Sequence, residues 1–366
     1  MKKTQSIALL SLASLVIFGF FAAFLFRTPG DYSDAERRSL AQMPAFDTEA
    51  LASGRFMEKF EQYSLDQFPL RERLRTLKAV SVRYLFRQKD DHGLYTADGH
   101  LCKLEYPLSD QKVSLSTQKL QEVYEAYLRD SDCKIYLSVV PDKNYFLAPK
   151  IGYPAMDYEA LVQKVQRDLD FATYIDIFGT LSAENYYKTD PHWKQETLLS
   201  TAQYLAAGLG VRISTQYTQN TLDIPFYGVY VGQSALPCKP DTIRYLTSDI
   251  LDGCTVTDYD AGKAKPGVLY DREKAAGKDP YELFLMGANP LITVENPNAD
   301  GDRELILFRD SFGSSLAPLL VSGYSKITLV DLRYIRSALL GSFIDFQAQD
   351  VLLLYSTTIF NNNISM

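Results

Sequence analysis

The sequence predicts an α/β protein with three layers around a mostly parallel central sheet, one membrane-spanning helix at its N-terminus and a β-rich insertion. Two patterns carry that prediction. From about Asp90 to the C-terminus, short unbroken apolar runs alternate with stretches of helical spacing. An apolar run without polar alternation is a strand covered on both faces, which is how parallel sheets sit between helical layers. The second pattern is the uncharged run from Ser6 to Phe26 (SIALLSLASLVIFGFFAAFLF). At about 1.5 Å per residue it reaches across a hydrocarbon core of about 30 Å.

Lys2 and Lys3 precede that run, so the positive-inside rule puts the N-terminus in the cytoplasm and the rest of the chain outside it. A cleaved signal peptide is the rival reading. The run is long for a signal core and no clean A-x-A site follows it, which favours an uncleaved single-pass anchor in the cell membrane. Residues 1–27 are read as the anchor and 28–89 as a juxtamembrane stalk with helices. Arg27 to Pro44 is polar and turn-rich, and Arg55 to Arg87 has helical periodicity broken at Phe68-Pro69. Pro69, with Arg71 and Glu72 behind it, marks a fresh helix start.

Residues 90–366 are read as the globular domain. Lys134 to Val140 (KIYLSVV) is a strand, Met156 to Leu169 a helix, and Ala172 to Ile177 (ATYIDI) a strand. Lys194 to Leu209 is a helix closed by Gly210. Glu304 to Phe308 (ELILF) is a buried strand, Gly313 to Val321 a helix, and Lys326 to Leu332 and Val351 to Ser356 two more buried strands. Between about 214 and 302 the chain turns rich in Tyr, Thr, Gly, Pro and Asp, with weak periodicity. That stretch reads as an insertion with hairpins, placed to wall the site.

Composition sets further limits. The 366 residues are 46% hydrophobic and 23% charged, enough for a large core and unlike a disordered chain. A formal net charge of -7 argues against nucleic acid, whose phosphates need a basic footprint. The four cysteines, Cys102, Cys133, Cys238 and Cys254, form no C-x-x-C, which excludes zinc-ribbon and thioredoxin readings. Pairing of Cys238 with Cys254 and free thiols both remain open.

The chemistry centres on a scarce residue. His92 (KDDHGLY) and His100 (ADGHL) read as turn residues, whereas His192 lies in Tyr186 to Lys194 (YYKTDPHWK), ahead of a helix. Pro191 biases Asp190 towards an extended conformation, in which residues two apart point the same way. Asp190 and His192 then project into one cleft, as a carboxylate that orients an imidazole does. An Asp-Pro turn capping the next helix is the commoner use of that tripeptide taken alone. The second half is Glu304 to Ser315 (ELILFRDSFGSS). There a buried strand ends at Arg309 and Asp310, and Ser311 turns into a helix through Gly313. Ligands of open α/β sheets sit at the carboxyl ends of strands. Ser311 would also sit at a helix N-terminus, where backbone N–H groups of the turn suit an oxyanion. A serine in that position is also a common N-cap. The two halves together outweigh either bland reading, because a hydroxyl needs a base and His192 is the credible one.

Thr189 to Trp193 (TDPHW), followed more than a hundred residues later by R-D-S-F-G-S-S, resembles the DHHW family, related to the AlgX/AlgJ-type alginate O-acetyltransferases with their T-D-x-H-W motif. Shorter agreements are F-P-L-R-E-R-L (residues 68–74), P-F-Y-G (Pro225 to Gly228) and V-D-L-R-Y (Val330 to Tyr334). The resemblance covers most of the chain after the anchor and implies an SGNH-like fold in which the D-x-H precedes the serine. It implies Ser311 as nucleophile, His192 as base and Asp190 as orienter, acting on a polysaccharide acceptor. It further implies acetyl supply from a membrane-bound O-acyltransferase partner. One departure is Pro191, which stands where D-H-H-W has its first histidine. Candidates for oxyanion or substrate binding are Asn144 and Lys143 after the first strand, Gly313, and Arg333. In the bland alternative Asn144 is a turn residue and Lys143 and Arg333 are solvated or ion-paired. No cofactor is called for, and D-P-H offers too few ligands for a metal.

Overall fold

The computed structural model describes residues 3–362. The chain divides into two compact units, one built from residues up to 92 with 231–238 and the other from 93–230 with 239–366.

In the first unit, helix α1 (Lys3–Phe26) is long and apolar enough to cross a membrane. Helices α2 (Arg55–Asp66) and α3 (Arg71–Val80) follow, with the break at Phe68-Pro69 between them. Ion pairs fasten them. Arg38 takes both oxygens of Asp66, at 2.8 and 2.6 Å, and Arg71 takes Glu36 at 2.7 Å. The Arg38 guanidinium holds the Asp66 carboxyl down at about 2.

The second unit opens with a hairpin, β1 (Leu94–Ala97) and β2 (His100–Lys103), and helix α4 (Asp110–Val123). Next come β3 (Lys134–Val140), α5 (Lys143–Leu147), α6 (Tyr158–Asp168), β4 (Thr173–Tyr174) and α7 (Leu199–Leu209). After them run β5 (Thr218–Phe226), β6 (Asp241–Thr247), β7 (Thr255–Asp258), β8 (Lys265–Gly267) and β9 (Leu291–Glu295). The chain closes with β10 (Glu304–Arg309), α8 (Phe312–Leu320), β11 (Lys326–Val330), β12 (Asp350–Ser356) and α9 (Thr357–Asn362).

Eight strands form one sheet in the order β8-β7-β9-β11-β10-β12-β3-β4. The pairings from β11 to β4 are all parallel, while β9, β7 and β8 continue the sheet antiparallel. Both faces are covered. Leu305 and Leu307 of β10 pack with Leu205 of α7 and Leu316 of α8. Ile306 and Phe308 face the other way, towards Leu120 of α4 and Leu161 of α6. This two-sided burial is why β10 reads as continuously apolar.

Three sequence expectations change. The Ala172 to Ile177 strand pairs only over Thr173–Tyr174, because the Asp176 carboxylate accepts from the Phe178 N–H at 3.0 Å and pulls the chain into a turn. The helix expected from Lys194 starts at Leu199. Before it, Gln195 is buried, its amide donating to the Ser315 carbonyl at 2.8 Å and accepting from the Leu246 N–H at 2.8 Å. The helix does end at Gly210, at φ 73°. His100 begins β2 and is 1% exposed rather than a turn residue, and burial pushes its imidazole down to about 4. Of the segment from 214 to 302, β5 and β6 pair apart from the main sheet, whereas β7, β8 and β9 extend it. All four cysteines are free thiols.

Candidate functional site

Strand β10 delivers Ser311 at the carboxyl edge of the sheet, in the N-cap position of α8. Asp310, 1% exposed, fixes the turn. One carboxylate oxygen accepts the Phe312 N–H at 2.9 Å, and the other accepts the Ser356 N–H at 2.8 Å, where the neighbouring β12 ends. Gly313 lets the helix start close over the strand end, since a Cβ there would fall 2.6 Å from the Arg309 Cβ. Its N–H donates to the Asp310 carbonyl at 3.1 Å. The N–H groups of Phe312 and Gly313 are thus both engaged by Asp310.

His192 arrives on a loop pinched at its base by a bridge between Tyr186 and Trp193. The loop bends instead of running extended, so Asp190 and His192 meet by a different route from the one expected. One Asp190 oxygen accepts the His192 backbone N–H at 3.1 Å and also its ring Nδ1 at 2.6 Å, closing a turn on itself. The other oxygen accepts the Val229 N–H at 3.0 Å. Just before Val229, Gly228 presses against the loop, and an added Cβ would lie 2.4 Å from both the Asp190 Cβ and the Thr189 carbonyl oxygen. This close approach accounts for the glycine of P-F-Y-G. Asp241 secures the loop from β6, accepting from the N–H groups of Lys188 at 3.0 Å and Thr189 at 2.7 Å.

The two halves meet at His192 Nε2, 2.7 Å from the Ser311 Oγ. A carboxylate oxygen only accepts, so Nδ1 carries the proton and Nε2 is the acceptor for the serine hydroxyl. The imidazole is clamped. Tyr281 stacks on it at 4.0 Å between ring centres and 11° between planes, and its hydroxyl lies 2.9 Å from the Ser315 Oγ. The Trp193 indole N–H donates to the Phe312 carbonyl at 3.1 Å and to the Ser315 Oγ at 2.9 Å. The histidine loop is therefore bolted to the helix that begins at the serine. Tyr281 and Ser315 are what sequence reasoning missed. Tyr281 sits in the aperiodic stretch between 214 and 302, where nothing marks it, and Ser315 is the last residue of R-D-S-F-G-S-S.

A cavity of about 130 Å³ opens at Ser311 and His192, with Tyr281, Arg309 and Arg333 among its walls. Arg333 forks onto Asp331 through Nε at 2.8 Å and Nη2 at 2.6 Å, and Arg309 reaches the same carboxylate at 3.4 Å. Burial works against the Arg333 charge, but Asp331 outweighs it and raises its pKa above the ordinary value. Two guanidiniums share one carboxylate beside the serine.

Lys143 and Asn144 face elsewhere. The Lys143 ammonium is buried and donates to the carbonyls of Leu101, Tyr187 and Lys188, and burial pushes it down to about 8. It braces the histidine loop from below. The Asn144 amide oxygen accepts from the Tyr95 hydroxyl at 2.5 Å. Neither residue is a wall of the Ser311 cavity.

Comparison with known proteins places the fold. No family model matches the chain, and no curated protein does. Among solved structures, a DHHW family protein from Eubacterium siraeum superposes with a TM-score of 0.61 at 20% identity, over 74% of this chain and 93% of that one. PatB1 of Bacillus cereus superposes at 0.60 and 18% identity, over 75% of this chain and 98% of its own. PatB1 bearing a sulfonyl adduct gives 0.57 and 19%, over 73% and 95%. The chain shares the fold of these proteins.

Proposed function

We propose that this chain is an extracytoplasmic O-acyltransferase that places acetyl groups on a cell-surface or exported polysaccharide. The observation that carries the reading is the unbroken hydrogen-bond chain from Asp190 through His192 to Ser311. In the first half-reaction the Ser311 Oγ attacks the acyl carbonyl and its proton passes to His192 Nε2. The tetrahedral intermediate collapses to an ester on Ser311, and the leaving group takes that proton. Asp190 keeps the imidazole in the required tautomer and stabilises its charged form. The Ser311 N–H and Arg333 face the developing oxyanion. In the second half-reaction a sugar hydroxyl gives its proton to His192 and takes the acyl group, which frees the serine.

A trough of about 420 Å³ that shares Arg333 and Tyr334 with the Ser311 cavity and adds Lys119 and Arg336 supports a polymer as the reaction partner. A polymer seated there would present a hydroxyl where water would otherwise enter. Acetyl-CoA is cytoplasmic, so the donor is an acetyl group relayed through a membrane-bound O-acyltransferase. Helix α1 keeps the chain at that membrane.

A sulfonyl adduct is known on PatB1, and a sulfonyl fluoride is the direct probe here. Intact-mass measurement should show one adduct on the wild-type chain and none on Ser311→Ala. A folded wild-type chain that takes up no reagent would remove the activated serine. Release of acetate with no acetylated glycan would reassign the same triad to an esterase.

A further inference from the structure

Helix α3 wears part of its polarity reversed. A surface helix normally turns its apolar stripe inward and its charges to water. In α3 the side chains of Arg71 and Arg75 are turned in. Arg71 and Arg75 both reach Glu36, at 2.7 and 3.3 Å, and the side chains of Arg71 and Glu36 are 15% and 14% exposed. The apolar residues point out. Along α3 and the turn after it, Leu70 is 54% exposed, Leu77 63%, Tyr84 71% and Leu85 73%. Their spacing keeps them on one side of the helix.

Two further observations say what covers this stripe. The first is continuity with α1. Phe20 of α1 stacks on Phe68 at 5.4 Å and Phe24 meets Tyr63 at 5.7 Å, and the rings run on through Phe60 and Phe56 to Phe46. The second is charge. Residues 55–89 hold nine basic and four acidic side chains, a local excess of five positive charges in a chain of net charge -7. Where α1 ends, a cleft of about 750 Å³ runs between Ala23 and Arg27 on one side and Pro69 to Arg73 on the other.

We propose that α2 and α3 lie in the headgroup–acyl boundary of the bilayer that α1 crosses, with the Leu70–Leu85 stripe among the acyl chains and Arg27 and Arg73 against anionic phospholipid headgroups. The inference rests on reading α1 as a membrane span and is independent of the Ser311 chemistry. A cationic helix with an apolar face is the kind that settles a few ångströms below the headgroups. Anionic lipid adds attraction for each arginine near the surface.

The chain's single tryptophan, Trp193, is fully buried in the other unit and serves as an internal control. Full-length Tyr84→Trp is reconstituted in nanodiscs of phosphatidylcholine, with and without phosphatidylglycerol, using acyl chains brominated or not. After subtraction of the wild-type signal, bromination should at least halve the emission of the introduced indole, more so with the anionic lipid, while Trp193 stays unchanged. Equal quenching in both lipids would overturn the headgroup part. Blue-shifted emission from position 84 that brominated lipid does not quench would mean that protein covers the stripe, and red-shifted, unquenched emission would mean water. Either result overturns the proposal. Ser311→Ala in the same background should leave the quenching as it is, and failure there would not touch the triad.

Discussion

Gly228→Ala tests the site through a residue that carries no chemistry. The added methyl carbon would lie 2.4 Å from the Asp190 Cβ and from the Thr189 carbonyl oxygen, where ordinary contact begins at 3.4 Å. The shortfall of about 1 Å cannot be absorbed by a flexible tip, because one obstacle is backbone and the other a Cβ. The histidine loop must move, taking with it the carboxylate that holds His192 at 2.6 Å. Misplacement of a reacting group by about 1 Å costs about 10²-fold in rate, or about 2.7 kcal/mol of barrier. Overpacking adds about 1–3 kcal/mol of lost stability. The assay is the rate of Ser311 acylation by an activated acetyl ester, read beside the thermal midpoint. Gly179→Ala is the control, because nothing lies within 4 Å of its new methyl. A folded Gly228→Ala that acylates within about threefold of wild type would refute the claim that this contact sets the Asp190–His192 geometry.

Two other outcomes follow from the same network. Trp193→Phe keeps an aromatic side chain but removes the indole N–H that the Phe312 carbonyl and the Ser315 hydroxyl accept, so denaturant melts should show a loss of about 1–3 kcal/mol. Its acylation rate should fall more than its affinity for substrate, and unchanged kinetics would make the indole merely structural. Glu105 gives a pH signature. Burial pushes its carboxyl up to about 7, so between the ordinary carboxylate range and pH 7 the folded chain holds a proton that the unfolded chain has lost. Stability therefore falls as pH rises through that window, by about 3 kcal/mol at most. Glu105→Gln should flatten the decline between melts at pH 5 and pH 8, and parallel curves for variant and wild type would refute the assignment.

The parallel sheet was legible because β3, β10, β11 and β12 are covered on both faces, and such strands announce themselves as bare apolar runs. The segment from 214 to 302 was not. Its strands β7, β8 and β9 are three to five residues long and stand at the antiparallel edge, too short to show a period. Asp190, His192 and Ser311 were readable because their residue types are rare or sharply placed, and the structure brings all three together. The manner of their meeting was not readable. Pro191 suggested an extended segment, but the Asp190 carboxylate captures the His192 backbone N–H and folds the loop. Lys143 and Asn144 lie away from the Ser311 cavity for a common reason. Lying just past a strand end says which edge of the sheet a residue occupies, not whether its side chain turns to the cleft or beneath it. Arg333, placed by the same rule, does reach the cavity wall.

The position of β12 bears on when the Ser311 turn can form. This strand is the last of the sheet in chain order, yet it slots between β10 and β3, and its final N–H completes the turn that carries Ser311. Until it inserts, a chain folded up to β11 holds Ser311 on an unfinished turn. A polypeptide cut short before residue 350 would lack the Ser356 N–H that holds Asp310, and the turn at Ser311 would stay open however much of the rest had folded.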